Sequence, residues 1–468
     1  MSEITLDVPA SEYKGQSHVS TTNACKLCTP LGATLAFKGI QGAVPFLHGS
    51  QGCATYMRRY IISHFREPMD IASSSLGEKN AIYGGGPNLK KGLLNAMQKY
   101  GAGVIGVATT CLTETIGDDV ARLLTEFREE FKDLPLAELV HVSTPSYSGT
   151  HMDGFHGAVK ATVDQLCLEA SPPNGRVNLL PGMVSAADIR HLREISRAFG
   201  IEPIILPDYS ETLDGPALLD YENIPSGGTP VADIKAMGGA AASIELGRAI
   251  SRQDTAGTSL AARFGTPLHR LGLPLGLRET DSLFESFQEI SGRDVPRDLL
   301  LERGRYIDSL VDGHKYVAGM RAVVYGEEDL CIGLTSFLAE IGVHPVLVAT
   351  GARNRDLAAH IEAACGEILR EKPAHLRPVI REGVDFFDIV EEAKTLAPDL
   401  LVGHSKGQRA AREWNVPLLR AGFPIHDRFG GQRMLHLGYR GAQQLFDRLV
   451  NMVLEKKQTD SDIGYGYL

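Results

Sequence analysis

The sequence predicts an α/β fold built from several doubly wound parallel sheets, and three observations support this. Short apolar runs bounded by Gly and Pro alternate along the chain with segments of helical periodicity. Such alternation is typical of parallel strands joined by crossover helices. The length of 468 residues corresponds to about three domains. A hydrophobic content of 43% with 22% charged residues is that of a globular protein with sizeable cores.

Two changes along the chain divide it into three expected Rossmann-like domains. A linker rich in Pro, Asn and Gly at 170–176 ends the first, and a helical pattern near 296–310 opens the third. We therefore expect domains at 1–174, 175–298 and 299–468. The polar residues before position 22 are expected to form a surface tail or docking arm.

The expected elements of the first domain place ligand-bearing loops after its strands. The apolar run at 103–108 is a buried parallel strand that delivers Cys111 at its carboxyl end, where open α/β sheets place their ligands. In order, we expect a helix at 31–37, a strand at 43–47, a helix at 56–64, a helix from the Gly84–Gly86 turn to Tyr100, the strand at 103–108 and a helix beginning at 116–119.

The second and third domains continue the alternation of strand and helix. Their expected elements are a strand at 177–181, a helix at 186–199, a strand at 203–206, a polar loop at 208–228, a helix at 231–237, a helix at 296–310, a strand at 321–326, a helix at 330–340 and strands at 345–349 and 400–403.

Charge and hydropathy exclude several classes of function. The net charge is −10 and no long block of Lys or Arg occurs, which argues against binding to nucleic acid. No apolar run approaches the roughly 18 residues of a membrane span. The N-terminus lacks the apolar core of a signal peptide, and the seven cysteines are an odd number. We expect a chain without membrane contact in a reducing cytoplasm.

Three of the seven cysteines lie in turns, which favours a metal-binding role. Cys28, Cys53 and Cys111 each stand beside small residues, Gly or Pro. Small neighbours let an inorganic cluster approach the backbone, and soft sulfur ligands select iron–sulfur clusters, zinc or Cu(I). The spacing of the cysteines alone does not exclude zinc, because Cys25 and Cys28 form half of a ribbon-type zinc site. The remaining cysteines lie in apolar or helical patterns and are expected in the core: Cys167, Cys331 and Cys365.

The residues around the loop cysteines resemble the β subunit of nitrogenase component 1. Cys28, Cys53 and Cys111 are separated by 25 and 58 residues, and Ser146 follows Cys111 by 35. The flanking words occur in the family's order: Cys-x-Pro-Leu-Gly-Ala, His-Gly-Ser-Gln-Gly-Cys, Ala-Thr-Thr-Cys, Glu-x-Ile-Gly-Asp-Asp and Thr-Pro-Ser-x-x-Gly. The resemblance covers essentially the whole chain.

The resemblance implies that Cys28, Cys53 and Cys111 hold one half of an [8Fe-7S] P-cluster shared with an α-type subunit. It implies the Ser146 hydroxyl as an extra ligand of the oxidised cluster and places Tyr56 beside it. The family's cysteine pattern does not include Cys25, which is expected to lie near the cluster without binding it. The active-site Fe–S cofactor is implied to belong to the α-type partner, because nothing here obviously supplies its Cys and His ligands.

The resemblance also implies a cation site between two copies of the chain. Asp308 and Asp312 are one helical turn apart, so both carboxylates face the same way. An isolated pair of this kind is usually a solvated acidic face. In the family, a pair at this spacing and an Arg-Glu matching Arg66 and Glu67 bind a divalent cation, Fe or Ca, for which carboxylate oxygens are suitable ligands. The site would require a β–β contact in an α2β2 assembly.

The expected function is electron relay in a nitrogenase-like reductase, from an ATP-dependent iron protein to the cofactor of the α-type subunit. The amino-acid sequence of residues 57–64 departs from that of typical molybdenum nitrogenase β subunits. It favours the divergent relatives that cleave C–S bonds, the methylthio-alkane reductases. The alternatives are a dinitrogen-reducing nitrogenase and a non-catalytic scaffold for cofactor assembly, with a zinc-binding structural protein third.

Several histidines allow two interpretations each. His48 and His64 would donate to cluster sulfides or cap turns. The segment His404–Gly407 invites an acid/base interpretation, yet no G-x-S-x-G turn accompanies it, so a helix-opening loop is expected.

Overall fold

A computed structural model describes residues 25–220, 222–252, 254–353, 356–371, 373 and 377–463. Its strands form three parallel sheets of four, four and five strands with helices between them, which confirms the predicted fold class. The tail expected before residue 22 lies outside the described residues. Among the described helices, none combines the length and the apolar composition needed to cross a bilayer.

The first sheet has the strand order β2-β1-β3-β4, and β1 and β3 are completely buried. Both central strands are apolar up to their last residues, His48 and Thr109, as expected for a parallel sheet covered on two faces. The elements are α1 Thr29–Lys38, β1 Ala43–His48, α2 Gln51–Phe65, β2 Ala72–Ser73, α3 Asn80–Tyr83, α4 Gly86–Tyr100, β3 Val104–Thr109, α5 Cys111–Ile116, α6 Val120–Glu130, β4 Glu138–Val142 and α7 His151–Leu166.

The second sheet has the order β6-β5-β7-β8, and the polar loop predicted at 208–228 follows β6. The elements are β5 Val177–Leu180, α8 Ala186–Ala198, β6 Pro203–Ile205, α9 Val231–Lys235, β7 Ala242–Leu246, α10 Ala256–Phe264, β8 Leu268–Leu271 and α11 Gly276–Ser291.

The third sheet has the order β11-β10-β9-β12-β13, and its last helix returns to pack against α12 and α11. The elements are α12 Arg297–Val317, β9 Arg321–Gly326, α13 Glu328–Glu340, β10 His344–Thr350, α14 Leu357–Cys365, α15 Glu367–Arg370, β11 Val379–Glu382, α16 Phe386–Leu396, β12 Leu400–Gly403, α17 Gln408–Trp414, β13 Leu418–Arg420 and α18 Gly438–Asp460.

The three sheets occupy residues 43–142, 177–271 and 321–420. One buried apolar cluster draws side chains from all three, including Phe37, Phe199 and Phe337. The domain boundaries remain a prediction, and the one expected between 298 and 299 lies in the first turn of α12. The apolar core is therefore continuous across the three sheets.

Candidate metal centre

Three cysteines of the first sheet each lie where a helix begins. Cys28 is the N-cap residue of α1, Cys53 lies in the first turn of α2, and Cys111 is the first residue of α5. All three are free thiols of intermediate exposure. The N–H groups at a helix N-terminus favour negative charge, so each position suits a thiolate.

The register of the sheet brings two of these helix starts together. β1 and β3 pair in parallel along their full lengths, so the loops that carry Cys53 and Cys111 leave the same edge. Gly49 lies against Thr110 so closely that a Cβ on the glycine would be 2.1 Å from the threonine Oγ1. Gly49, the first glycine of the His-Gly-Ser-Gln-Gly-Cys motif, therefore permits the contact between the two loops.

The loop after β4 adds a hydroxyl to the same edge. Thr144 donates its N–H to Thr109 Oγ1 at 2.7 Å and its hydroxyl to Thr109 O at 2.6 Å, which fixes this loop to the end of β3. Ser146 then donates its N–H to Cys111 Sγ at 3.3 Å, and its Oγ accepts the N–H of Thr29 at 3.1 Å. Ser146 thus joins the Cys111 loop to the start of α1.

The electrostatics of Cys28 show that the thiols are neighbours. Burial raises the pKa of the Cys28 thiol, a hydrogen bond with Ser146 lowers it, and the charges of Cys111 and Cys53 raise it again. The cysteines therefore interact through space although they come from separate loops. Ser50, which the sequence analysis missed, donates its hydroxyl to Cys53 Sγ at 3.5 Å; its position at the N-cap of α2 was the available signal.

Tyr56 lies one helical turn after Cys53 on α2, where it is 43% exposed. Its ring packs against Tyr60 with centroids 4.8 Å apart. Burial, the hydrogen bond with Tyr60 and the charge of Cys28 raise the pKa of the Tyr56 phenol. Tyr56 is thus a neutral aromatic side chain close to Cys28.

The other cysteines are buried. Cys167, Cys331 and Cys365 are each 0% exposed, as expected of core residues. Cys25 packs against the third sheet, and burial raises the pKa of its thiol to about 12. A protonated thiol is a poor ligand, which supports the interpretation of Cys25 as a neighbour.

The two histidines considered as cluster donors have structural partners. His48 is completely buried, with Nδ1 3.0 Å from Ser74 Oγ and Nε2 3.1 Å from Asp118 Oδ2. His64 accepts the N–H of Ile425 through Nδ1 at 2.9 Å. His48 therefore fixes the loops that carry the cysteines, and His64 connects α2 to the third sheet.

The residues expected to bind a cation lie in two separate places. Arg66 ends α2 in a left-handed conformation, with φ 62°, and Glu67 follows it. Burial and the charge of Asp214 raise the pKa of Glu67. Asp308 and Asp312 are both exposed on α12. In the described part of the chain, no three His, Cys, Asp or Glu side chains are grouped closely enough to hold a single metal ion, so any metal site needs either a larger cluster or ligands from a second chain.

Comparisons with known proteins agree with this architecture. A family model for the nitrogenase component 1 type oxidoreductases matches residues 28–454. The chain is 36% identical over 435 residues to the nitrogenase molybdenum-iron protein beta chain of Clostridium pasteurianum, covering 93% of each chain. It is 33% identical over 466 residues to the nitrogenase vanadium-iron protein beta chain of Trichormus variabilis, covering 98% of each.

A solved chain of nitrogenase Cp1 at pH 6.5 superposes with a TM-score of 0.92 at 32% identity, over 97% of this chain and 98% of that one. Sequence and fold agree over nearly the whole length. This chain therefore belongs to the nitrogenase component 1 type oxidoreductases and is a β-type member of that family.

Proposed function

We propose that this chain relays electrons through an [8Fe-7S] P-cluster, half of which is held by Cys28, Cys53 and Cys111. The observation that supports this most directly is the meeting of three free thiols at one edge of the first sheet. When bound, such a cluster accepts and passes on electrons. Delivery from an ATP-dependent iron protein and passage to a cofactor in an α-type partner follow from the family.

The donor set fits an iron–sulfur cluster. Thiolates are soft ligands, and the glycines beside Cys53 leave room for bulky inorganic atoms. Ser146 Oγ accepts one hydrogen bond from Thr29 N and lies next to Cys28, which supports its role as an additional ligand. Backbone N–H groups at the starts of α1 and α2 would stabilise the negative charge of the cluster.

The surface around the thiols fits a protein partner. Large apolar side chains are exposed on the segments that carry or adjoin the cysteines: Tyr56, Ile62, Ile82, Tyr83 and Tyr147. Ile82 and Tyr83 belong to α3, which packs against the Cys111 helix. Exposed aromatic residues of this kind mark interaction sites. An α-type subunit seated here would supply the second set of cluster ligands.

Replacement of Cys53 tests the cluster assignment. We expect the anaerobically purified complex of Cys53→Ala with its partner to lose the iron and acid-labile sulfide of this cluster. Cys167→Ala is the matched control, because Cys167 is equally a free thiol but is buried at the end of α7. Full iron and sulfide in Cys53→Ala, relative to that control, would contradict the proposal.

We further propose that Arg66 and Glu67 of one copy and Asp308 and Asp312 of another bind a divalent cation between two β-type chains. Asp308 and Asp312 are exposed on the same helix as four exposed apolar side chains: Leu300, Leu301, Ile307 and Val311. This face of α12 would pack against a second copy in an α2β2 assembly. Carboxylates from two chains suit a hard cation.

The reaction served by this relay has two candidates. The relatives named above are molybdenum-iron and vanadium-iron nitrogenase chains, which favours dinitrogen reduction. The expectation of C–S cleavage rests on residues 57–64. These residues belong to α2, where Met57, Ile61 and His64 are buried. Because these residues are buried, sequence differences at 57–64 change how α2 packs. They therefore give little support to C–S cleavage as the reaction. ATP-dependent turnover of dinitrogen and of a methylthio-alkane by the purified complex would separate the two, and turnover of neither would favour a scaffold.

A further inference from the structure

A small cavity lies where the three sheets meet, away from the cysteines of the first sheet. Its volume is about 50 Å³. It is lined by segments that follow β5, β6, β8, β9 and β13 and by the end of α2. The carboxyl ends of parallel strands are where open α/β sheets place ligands. The walls are mainly apolar, with six polar side chains set among them: His64, Ser185, Asp188, Tyr209, Glu327 and His436.

His436 offers a hydrogen-bond acceptor at this cavity. It is 7% exposed, and its Nδ1 lies 3.1 Å from Asp188 Oδ2. Asp188 also accepts the N–H groups of His436 and Leu437 at 2.7 and 3.0 Å, so its carboxylate is held ionised. A carboxylate partner requires the proton on Nδ1 and leaves the Nε2 lone pair free. Nε2 is buried and has no hydrogen-bond partner in the described residues.

Glu327 offers a second acceptor. Its Oε1 lies 3.4 Å from His151 Nε2 and accepts the N–H of Phe423 at 3.3 Å. Its other oxygen, Oε2, faces Gly422, where a Cβ atom would approach it to 2.7 Å. Gly422 has φ +79°, a conformation that favours glycine. Because glycine has no side chain, the space beside this oxygen stays open.

His64 supplies a donor. Its Nδ1 accepts the N–H of Ile425, so the ring carries its proton on Nε2. Glu327, His436 and His64 all line this cavity. Gly431 lies against the Nδ1 edge of the ring, where a Cβ would come within 3.0 Å. The ring orientation is therefore fixed by the backbone.

We propose that this cavity is a binding site for a small neutral molecule of about two or three non-hydrogen atoms that carries both a hydrogen-bond donor and an acceptor. The size follows from the volume, because a cavity of about 150 Å³ accommodates benzene. His436 Nε2 and Glu327 Oε2 accept from the ligand, and His64 Nε2 donates to it. A short primary amide satisfies this pattern, because it has two N–H donors and one carbonyl acceptor. Such a ligand would join the end of α2 to segments beside the third sheet.

Charge and ligand chemistry argue against anions, metal ions and purely apolar guests. Two carboxylates, Asp188 and Glu327, lie at the cavity, and no Lys or Arg is among its described lining residues, so an anion would be repelled. The described His, Asp and Glu side chains at the cavity are not arranged to hold a single metal ion. A purely apolar guest would leave His436 Nε2 buried without a partner.

Crystal structures of the complex of this chain with its partner subunit, before and after soaking in formamide, test the site. Formamide has three non-hydrogen atoms, with an N–H2 donor and a C=O acceptor. We expect the soaked crystals to show planar density in the cavity within 3.2 Å of His436 Nε2. Unchanged density after the soak, whether empty or fitted by water alone, would overturn the proposal, and so would formamide bound elsewhere only.

Two variants at one wall position separate binding in the cavity from general effects of the soak. Leu330 lines the cavity without making a polar contact there. Leu330→Phe fills the space and is expected to abolish the formamide density, whereas Leu330→Met keeps the volume and is expected to retain it. Equal formamide occupancy in both variants would overturn the proposal. If Leu330→Phe does not fold, the comparison of soaked and unsoaked crystals of the parent and of Leu330→Met still decides.

Discussion

His404 is a buried histidine that cannot be charged without cost. It is 4% exposed, and its ring lies edge-on to Tyr325 with centroids 5.0 Å apart. Its Nε2 is 3.7 Å from Cys25 Sγ, and its Nδ1 has no hydrogen-bond partner in the described residues. Burial lowers the pKa of His404 to about 4. The helix-opening loop expected at 404–407 therefore begins with a packing residue.

We predict that His404 makes the protein less stable in acid. Its pKa is near 6.5 when unfolded and about 4 when folded, so below pH 6.5 the unfolded state binds more protons. The free energy of unfolding should fall by about 2 kcal/mol between pH 7 and pH 5 from this residue alone. His404→Phe, which keeps the ring packing, should reduce the drop in unfolding midpoint over that range.

His314→Gln is the control for this measurement, because His314 is exposed on α12. It should leave the pH dependence as it is in the parent. An equal drop in midpoint for His404→Phe and the parent would show that His404 does not titrate as the structure indicates.

At the scale of elements, the contact between α1 and α7 depends on two glycines. A Cβ on Gly32 would lie 1.6 Å from His151 O, and a Cβ on Gly154 would lie 1.8 Å from Thr29 O. The two helix backbones touch directly, and no side chain fits between them. Because Thr29 follows Cys28, this contact also fixes the position of a proposed cluster ligand relative to the Ser146 loop.

Gly154→Ala should therefore lower stability and cluster content together. Forcing the helices apart is expected to cost about 3 kcal/mol of unfolding free energy, at the upper end of overpacking in cores. We expect a lower unfolding midpoint and less iron in the purified complex.

Gly157→Ala on the same helix is the matched control. A Cβ there would meet Val142 Cγ2 at 3.5 Å, an ordinary contact. Alanine is the better helix former, so stability should stay level or rise by up to about 1 kcal/mol. If the two variants behaved alike, the close approach at Gly154 would not be the cause.

At the scale of the whole molecule, the proposed cation site connects the chain to a second copy. Asp308→Asn combined with Asp312→Asn should remove the bound cation and shift the complex from α2β2 towards αβ halves, as measured by native mass spectrometry. Within one chain the same change relieves repulsion between like charges and should raise helix stability by about 0.3 kcal/mol. Loss of assembly would thus not come from loss of folding.

Asp298→Asn is the control for assembly, because Asp298 is an exposed carboxylate in the first turn of the same helix. It should keep the tetramer and its cation. Retention of both by the Asp308/Asp312 double variant as well would contradict the proposed site.

Local pattern placed about half of the helices and strands, and among those it missed are elements that depend on distant partners. The strand at 103–108 and the helix at 186–199 were predicted within one or two residues of β3 and α8. No bounds were assigned to α5, β4 or α7. Helix α7 contains Gly154 and Gly157, which disfavour helix locally, and it forms because packing against α1 outweighs that preference. The edge strand β4 is only partly buried, so its apolar signal is weak.

The sequence by itself determined the alternation of strands and helices and the placement of Cys28, Cys53 and Cys111 in turns, because both depend on residues close together in the chain. Only the tertiary structure decided that Ser146 contacts Cys111 and the start of α1, that His48 is held by Ser74 and Asp118, and that Glu327 meets His151 from 176 residues away. Such contacts are selected by the packing of whole sheets against one another, which no short segment encodes.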